Sequence, residues 1–176
     1  MAKTRSNIVL IGFMGSGKTT VGRITAQRMN MPFVDLDKRI EQRAGKTISA
    51  IFAEQGEAAF RQLETEVLHD VLAGEGQLIS TGGGAVLAPH NRETMLQRGV
   101  VVLLKSDIEV LLQRLQNDKT RPLLQGDARA NVARILEERK DAYGFAELEV
   151  DTGRLTVEEA VKTIATFYEQ QQSGLA

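Results

Sequence analysis

The chain has 176 residues, enough for one α/β domain with a substantial core. Its 22 Lys and Arg against 23 Asp and Glu leave it near neutrality, without the basic excess that nucleic-acid binding usually requires. It has no cysteine, which excludes disulfides, thiolate metal sites and a cysteine nucleophile, and no apolar stretch approaches the length of a membrane span, so a soluble cytoplasmic monomer with no nucleic-acid or membrane partner is expected.

Residues 1–6 are basic, but the apolar run after them is too short for a signal peptide. Ile8-Val9-Leu10-Ile11-Gly12 reads as a buried strand. It runs into Gly12-Phe13-Met14-Gly15-Ser16-Gly17-Lys18-Thr19, and a helix over 20–29 follows, with Val21, Ile24, Thr25 and Met29 at helical spacing. Strand, glycine loop and helix is the context in which G-x-x-x-x-G-K-[ST] becomes a phosphate-binding loop. Glycines let successive backbone N–H groups converge on phosphate oxygens, and the helix N-terminus adds its own unpaired N–H groups. Lys18 can reach the β- and γ-phosphates, and the Thr19 hydroxyl can ligate Mg²⁺.

Residues 32–35 read as a second strand ending in carboxylates at Asp35 and Asp37. A polar helix over 37–44 is stopped by Gly45, and a short helix over 48–55 is stopped by Gly56. The next helix, 57–72, carries Phe60, Leu63, Val67 and Val71 at steps of three or four. Strand three, 77–81, enters Gly82-Gly83-Gly84. A helix over 91–97 precedes the continuous apolar strand 100–104, and Asp107 is placed to cap a helix striped with Leu111, Leu112 and Leu115. Residues 117–127 are polar, contain Pro122 and read as a mobile loop. A helix over 130–143, a strand over 147–150 and a final helix over 157–171, with Val157, Ala160, Val161, Ile164 and Phe167 inward, complete the chain. Alternating strands and helices imply a parallel sheet covered on both faces, with the loops at the strand C-termini meeting at one crevice.

The chemistry-bearing residues fall at those loops. Beside Mg²⁺ and phosphate, one carboxylate of the Asp35/Asp37 pair can orient the ion's water shell, and the other can take a proton from an attacking hydroxyl. The alternative is that Asp37 merely caps the helix it starts, a role compatible with catalysis. Arg61 has Glu64 at i+3 to hold its guanidinium as a bidentate carboxylate receptor. Three glycines after a buried strand mark a close approach to the backbone. Arg121 lies where a closing loop could bring it to the γ-phosphoryl. Spacing alone leaves Arg114, Arg139 and Tyr143 undecided between surface and site, and His69 and His90 read as structural or exposed. Strand three ends without the metal-bearing aspartate of many motors and GTPases, and no Asn-Lys-x-Asp signature occurs. That favours a small-molecule kinase over a switch or a motor.

With these residues in view, the chain resembles the shikimate kinases over nearly its whole length. The resemblance is carried by residues 12–19, Asp35-Leu36-Asp37, the F-x-x-x-G-E-x-x-F-R-x-x-E run over 52–64, Thr81-Gly82-Gly83-Gly84, Arg121-Pro122-Leu123-Leu124 and Arg139-Lys140-Asp141-Ala142-Tyr143. It implies a single domain over 1–176 with a three-layer αβα P-loop fold and a five-stranded parallel sheet in order 2-3-1-4-5. It also implies a helical substrate-binding region over about 37–72 and a lid over about 117–127. The implied reaction is ATP-dependent phosphorylation of the 3-hydroxyl of shikimate, giving shikimate 3-phosphate and ADP on the route to chorismate and the aromatic amino acids. ATP and Mg²⁺ are the implied cofactors. Gly15, Ser16, Gly17, Lys18, Thr19 and Thr20 would bind the nucleotide phosphates, with Thr19 and Asp35 serving the metal. Asp37, Arg61, Gly82, Gly83 and Arg139 would form the shikimate site, the two arginines on its carboxylate. Lys18, Asp37 and the lid residue Arg121 would be catalytic. Arg114 and the segment Asp151-Thr152-Gly153-Arg154 would lie along adenine, with Leu155 as the alternative to Arg154.

Overall fold

The computed structural model describes residues 5–116 and 126–174. β1 (Asn7–Ile11) is fully buried and leads to α1 (Lys18–Arg28), β2 (Phe33–Asp35), α2 (Leu36–Ala44) and the long α3 (Ile48–Leu72). β3 (Leu78–Ser80), a 3₁₀ turn at Ala85–Leu87, α4 (Pro89–Arg98) and β4 (Gly99–Lys105) follow. α5 (Ile108–Leu115), α6 (Ala128–Arg139), β5 (Leu148–Asp151) and α7 (Val157–Ser173) complete the order. The five strands are parallel and ordered β2-β3-β1-β4-β5, the expected order.

Successive strand residues point to opposite faces, and the core divides accordingly. Val9 and Ile11, with Val34, Ile79, Val101 and Leu103, pack under α2, α3 and α4. Ile8 and Leu10, with Leu78, Val100, Val102 and Leu104, pack against α1 and α7. A third cluster joins Phe13 of the glycine loop to Leu111 and Leu115 of α5 and to Val132 and Ile135 of α6. These layers hold the C-terminal ends of β1, β2 and β3 side by side.

Several expected boundaries shift for local reasons. α1 begins at Lys18 rather than residue 20, and Ile24 is 43% exposed. The buried face is Val21, Gly22, Thr25 and Ala26. An added Cβ at Gly22 would come within 2.8 Å of Phe33 and 3.1 Å of Leu10, so the helix seats its bare backbone on the sheet. Hydrophobic periodicity cannot register a glycine contact. Residues 48–72 follow on as one long element, yet Gly56 is non-helical at φ 86 and ψ 172, so the expected stop survives as a kink between two helical arms. α4 starts at Pro89, which is preset for a first helical turn. α6 ends at Arg139, four residues early, and turns carry the chain through Tyr143. On α7, Val157 is exposed, while Tyr168 is buried and donates to the Ser6 carbonyl at 2.7 Å. His69 and His90 stack with ring centroids 4.5 Å apart between α3 and α4, and burial followed by the His90 charge holds the His69 pKa below its usual value. Residues 117–125, including Arg121 and most of the expected lid, lie outside the described residues.

Candidate active site

The loop after β1 takes its shape from glycine. Gly15 (φ 79) and Gly17 (φ 99) sit in the left-handed region, which a side chain rarely adopts. Lys18, the first residue of α1, donates its ammonium to the carbonyls of Gly12 and Phe13 across the loop. Gly15, Gly17, Lys18, Thr19 and Thr20 line a cavity of about 510 Å³, which also takes in Asp35, Asp37, Gly82 and Gly83. Ser16 does not line it: the residue is 1% exposed and its hydroxyl is buried without a partner.

Parallel pairing places Asp35 opposite Ser80, which brings the end of β2 alongside the glycines after β3. Asp35, not Asp37, caps α2, accepting from the Lys38 N–H at 3.3 Å. Asp37 lies in the first turn of α2, with its carboxylate against Gly82, where an added Cβ would fall 2.8 Å from Oδ1. The capping alternative for Asp37 is thereby corrected.

Each of the three glycines is covered by a charged side chain from a different place in the chain. Asp37 covers Gly82; an Arg139 Nη1 lies 2.8 Å from where a Gly83 Cβ would be; a Cβ on Gly84 would collide with the Arg61 guanidinium. Tyr143, left undecided by spacing, is buried and donates its hydroxyl to the Gly83 carbonyl at 2.8 Å. Burial pushes its phenol pKa up, with Arg139 acting in the opposite sense. Two carboxylates set Arg61: Glu64 accepts from Nη1 at 2.8 Å, and Glu57 approaches Nε at 3.7 Å. Glu64 is 1% exposed. Its pKa is raised by burial, against the lowering effect of Arg61 and Arg139. Buried atoms of Arg61 (Nε) and Arg139 (Nη1) have no hydrogen-bond partner, and neither residue lines the 510 Å³ cavity itself. Two guanidiniums with unfilled donor capacity, set close to a carboxylate, are groups chemically suited to bind a carboxylate.

The far end of the cavity is closed by the chain around β5. Arg114 of α5 donates to the Gly15 carbonyl at 3.0 Å and to the Thr152 carbonyl at 2.7 Å, so it braces the loop from the side. Arg154 departs from expectation. Its side chain is 78% exposed, pairs with Asp151 at 3.5 Å, and does not line the cavity. Leu155, the alternative, does line it, together with Thr156 and Val157. The sequence reading placed Thr152 only within the adenine segment and missed the bond of its hydroxyl to the Ser16 carbonyl, and it missed Glu57 as a partner of Arg61, which only the i,i+4 spacing could have flagged.

The shikimate kinase family model matches residues 14–169. The chain belongs to the shikimate kinase family. Curated shikimate kinases of Geobacter sulfurreducens and Pelotomaculum thermopropionicum are 44% and 45% identical to it, over 94% and 93% of this chain and 92% and 96% of theirs. Among solved structures, shikimate kinase from Acinetobacter baumannii in complex with shikimate superposes with a TM-score of 0.88 at 38% identity, covering 94% of this chain and 93% of that one. The Aquifex aeolicus shikimate kinase gives 0.79 at 39% identity, over 96% and 99%. A gluconokinase from Sinorhizobium meliloti, at 20% identity and TM-score 0.64, shares the fold alone. Among the described residues, no helix of this family member is long and apolar enough to cross a membrane.

Proposed function

We propose that the protein transfers the γ-phosphoryl group of ATP to the 3-hydroxyl of shikimate, with the site residues named above in specific roles. The observation that carries the reading is the convergence of Asp37, Arg139 and Arg61 on Gly82, Gly83 and Gly84, beside a glycine loop whose lysine lines the same crevice. Arg61 and Arg139 bind the shikimate carboxylate, and the bare glycines make room for Asp37, Arg139 and Arg61 to lie against the backbone around it. That fixes the ring hydroxyls toward Asp37 and the phosphate loop. Asp37 then shares the proton of the 3-hydroxyl as that oxygen attacks.

Lys18 supplies positive charge to the transferring group, and the loop amides and the α1 N-terminus hold the nucleotide phosphates. On closing, Arg121 adds a further charge there. Thr19 and Asp35 both line the cavity and offer hard oxygen donors, which suit Mg²⁺. Among the described residues no group of three or more His, Cys, Asp or Glu could hold a metal by itself, which agrees with an ion that takes its other ligands from phosphate and water. Bound there, Mg²⁺ would neutralise charge on the phosphates.

ADP release, followed by a coupled assay with and without shikimate, tests the reading. Release that depends on shikimate is expected, as is its loss in Lys18→Ala with the fold intact. Turnover of gluconate in place of shikimate, or full activity of Lys18→Ala, would overturn it.

A further inference from the structure

Thr152, the residue after β5, is 9% exposed, and its hydroxyl is fully engaged. A hydroxyl has one proton and two lone pairs. Two carbonyls lie within reach of the proton, Ser16 at 2.6 Å and Lys105 at 3.4 Å, and the much shorter contact assigns it to Ser16. One lone pair accepts from Nη1 of Arg114 at 3.1 Å. The other faces Ser106 Oγ at 2.8 Å, and because the Thr152 proton is already committed, Ser106 is the donor. The Thr152 backbone is fixed too: its N–H donates to the Lys105 carbonyl at 2.9 Å, and its carbonyl accepts from Nη2 of Arg114 at 2.7 Å. Thr152 is thus locked at the C-terminal end of β5 and grips the glycine loop by one carbonyl.

That carbonyl belongs to the peptide that also carries the Gly17 N–H. In a planar trans peptide the C=O and the N–H point in opposite directions. Fixing the Ser16 oxygen against Thr152 therefore turns the Gly17 N–H away from Thr152. Gly17 is the N-cap of α1, has no side chain to satisfy that end, and its N–H makes no hydrogen bond among the described residues. We propose that Thr152 is a positioning residue for phosphoryl transfer: its hydroxyl, through the Ser16 carbonyl, orients the Gly17 amide toward a phosphate oxygen of the nucleotide. The inference rests on the reading of this loop as the ATP phosphate site.

Thr152→Val keeps shape and removes the hydroxyl, whereas Thr152→Ser keeps the hydroxyl. Dissociation constants are measured for ATP, inorganic tripolyphosphate, adenosine and shikimate. Thr152→Val is expected to weaken ATP and tripolyphosphate about tenfold, the scale of one hydrogen bond, and to leave adenosine and shikimate within about twofold. Thr152→Ser is expected to stay within about threefold of the parent for all four. Should the valine variant not fold, Thr152→Ala removes the same hydroxyl without a buried branch and is read identically. Unchanged ATP affinity without the hydroxyl overturns the proposal, as does equal damage from serine and valine. A loss for adenosine as large as that for ATP would place Thr152 in base recognition instead. A parent protein that binds neither ATP nor tripolyphosphate would overturn the phosphate-site reading itself, whereas a parent that binds both with unaltered variants overturns only the role of Thr152.

Discussion

Nη1 of Arg61 lies 2.8 Å from Oε1 of Glu64, and that carboxylate is buried beneath it with its second oxygen unpartnered. Burial dominates and raises the Glu64 pKa above 4.5 despite Arg61. A carboxyl whose folded pKa exceeds its unfolded value favours the protonated form in the folded state. Its ionised form therefore detracts from stability at neutral pH, and the penalty is relieved as pH falls through the folded value. Glu64→Gln carries no such proton. The melting temperature of the parent relative to Glu64→Gln should shift in the parent's favour as pH is lowered from neutrality toward the ordinary value of 4.5. A difference that stays constant across that range would mean that Arg61 offsets the burial completely.

In the proposed site the same contact governs acceptor binding. Arg61→Lys keeps a positive charge and loses the planar fork that faces both Glu64 and the acceptor. Shikimate binding should weaken by about 1.5–3 kcal/mol, the scale of a charge-assisted hydrogen bond, with ATP affinity nearly unchanged. Titration calorimetry with each ligand checks this, and a parallel loss for ATP would remove Arg61 from the acceptor site.

Gly84 has φ −98, a conformation that alanine adopts readily, but its Cβ would occupy the space of the Arg61 guanidinium. The obstructed group is the far end of a flexible side chain, so Gly84→Ala should still fold, with a lowered melting temperature because the buried Glu64 carboxyl loses its partner. It should also bind shikimate at least about tenfold more weakly, because the guanidinium is displaced from its place beside Glu64. Normal shikimate affinity in a folded Gly84→Ala would show that the position of Arg61 does not matter.

Asp37→Asn preserves shape and removes the charge that would take the hydroxyl proton. The turnover number should fall by at least about 10²-fold, the usual scale for a lost general base. Shikimate affinity should weaken only modestly, since Arg61 and Arg139 are untouched, and ATP affinity should hold. Single-turnover rates with both dissociation constants decide the matter; a rate near that of the parent would reduce Asp37 to a spacer beside Gly82.

The sequence by itself determined whatever is encoded within a few residues. The glycine loop with its lysine, the alternation of buried strands and helices, the break at Gly56 and the Arg61–Glu64 pair are all local, because φ preference and i,i+3 geometry are set by neighbours in the chain. The sheet order and the substrate set followed from the family resemblance rather than from spacing. Only the tertiary structure decided which charged group covers which glycine, and it moved the helix cap from Asp37 to Asp35. It also replaced Arg154 by Leu155 in the cavity wall and buried Tyr143 against Gly83. Thr152 shows why these lay beyond local reading: its hydroxyl meets a carbonyl 136 residues away. A threonine after a strand has no periodicity or motif to distinguish it. Its role arises because β4 lies between β1 and β5, which brings the end of the last strand to the loop that follows the first.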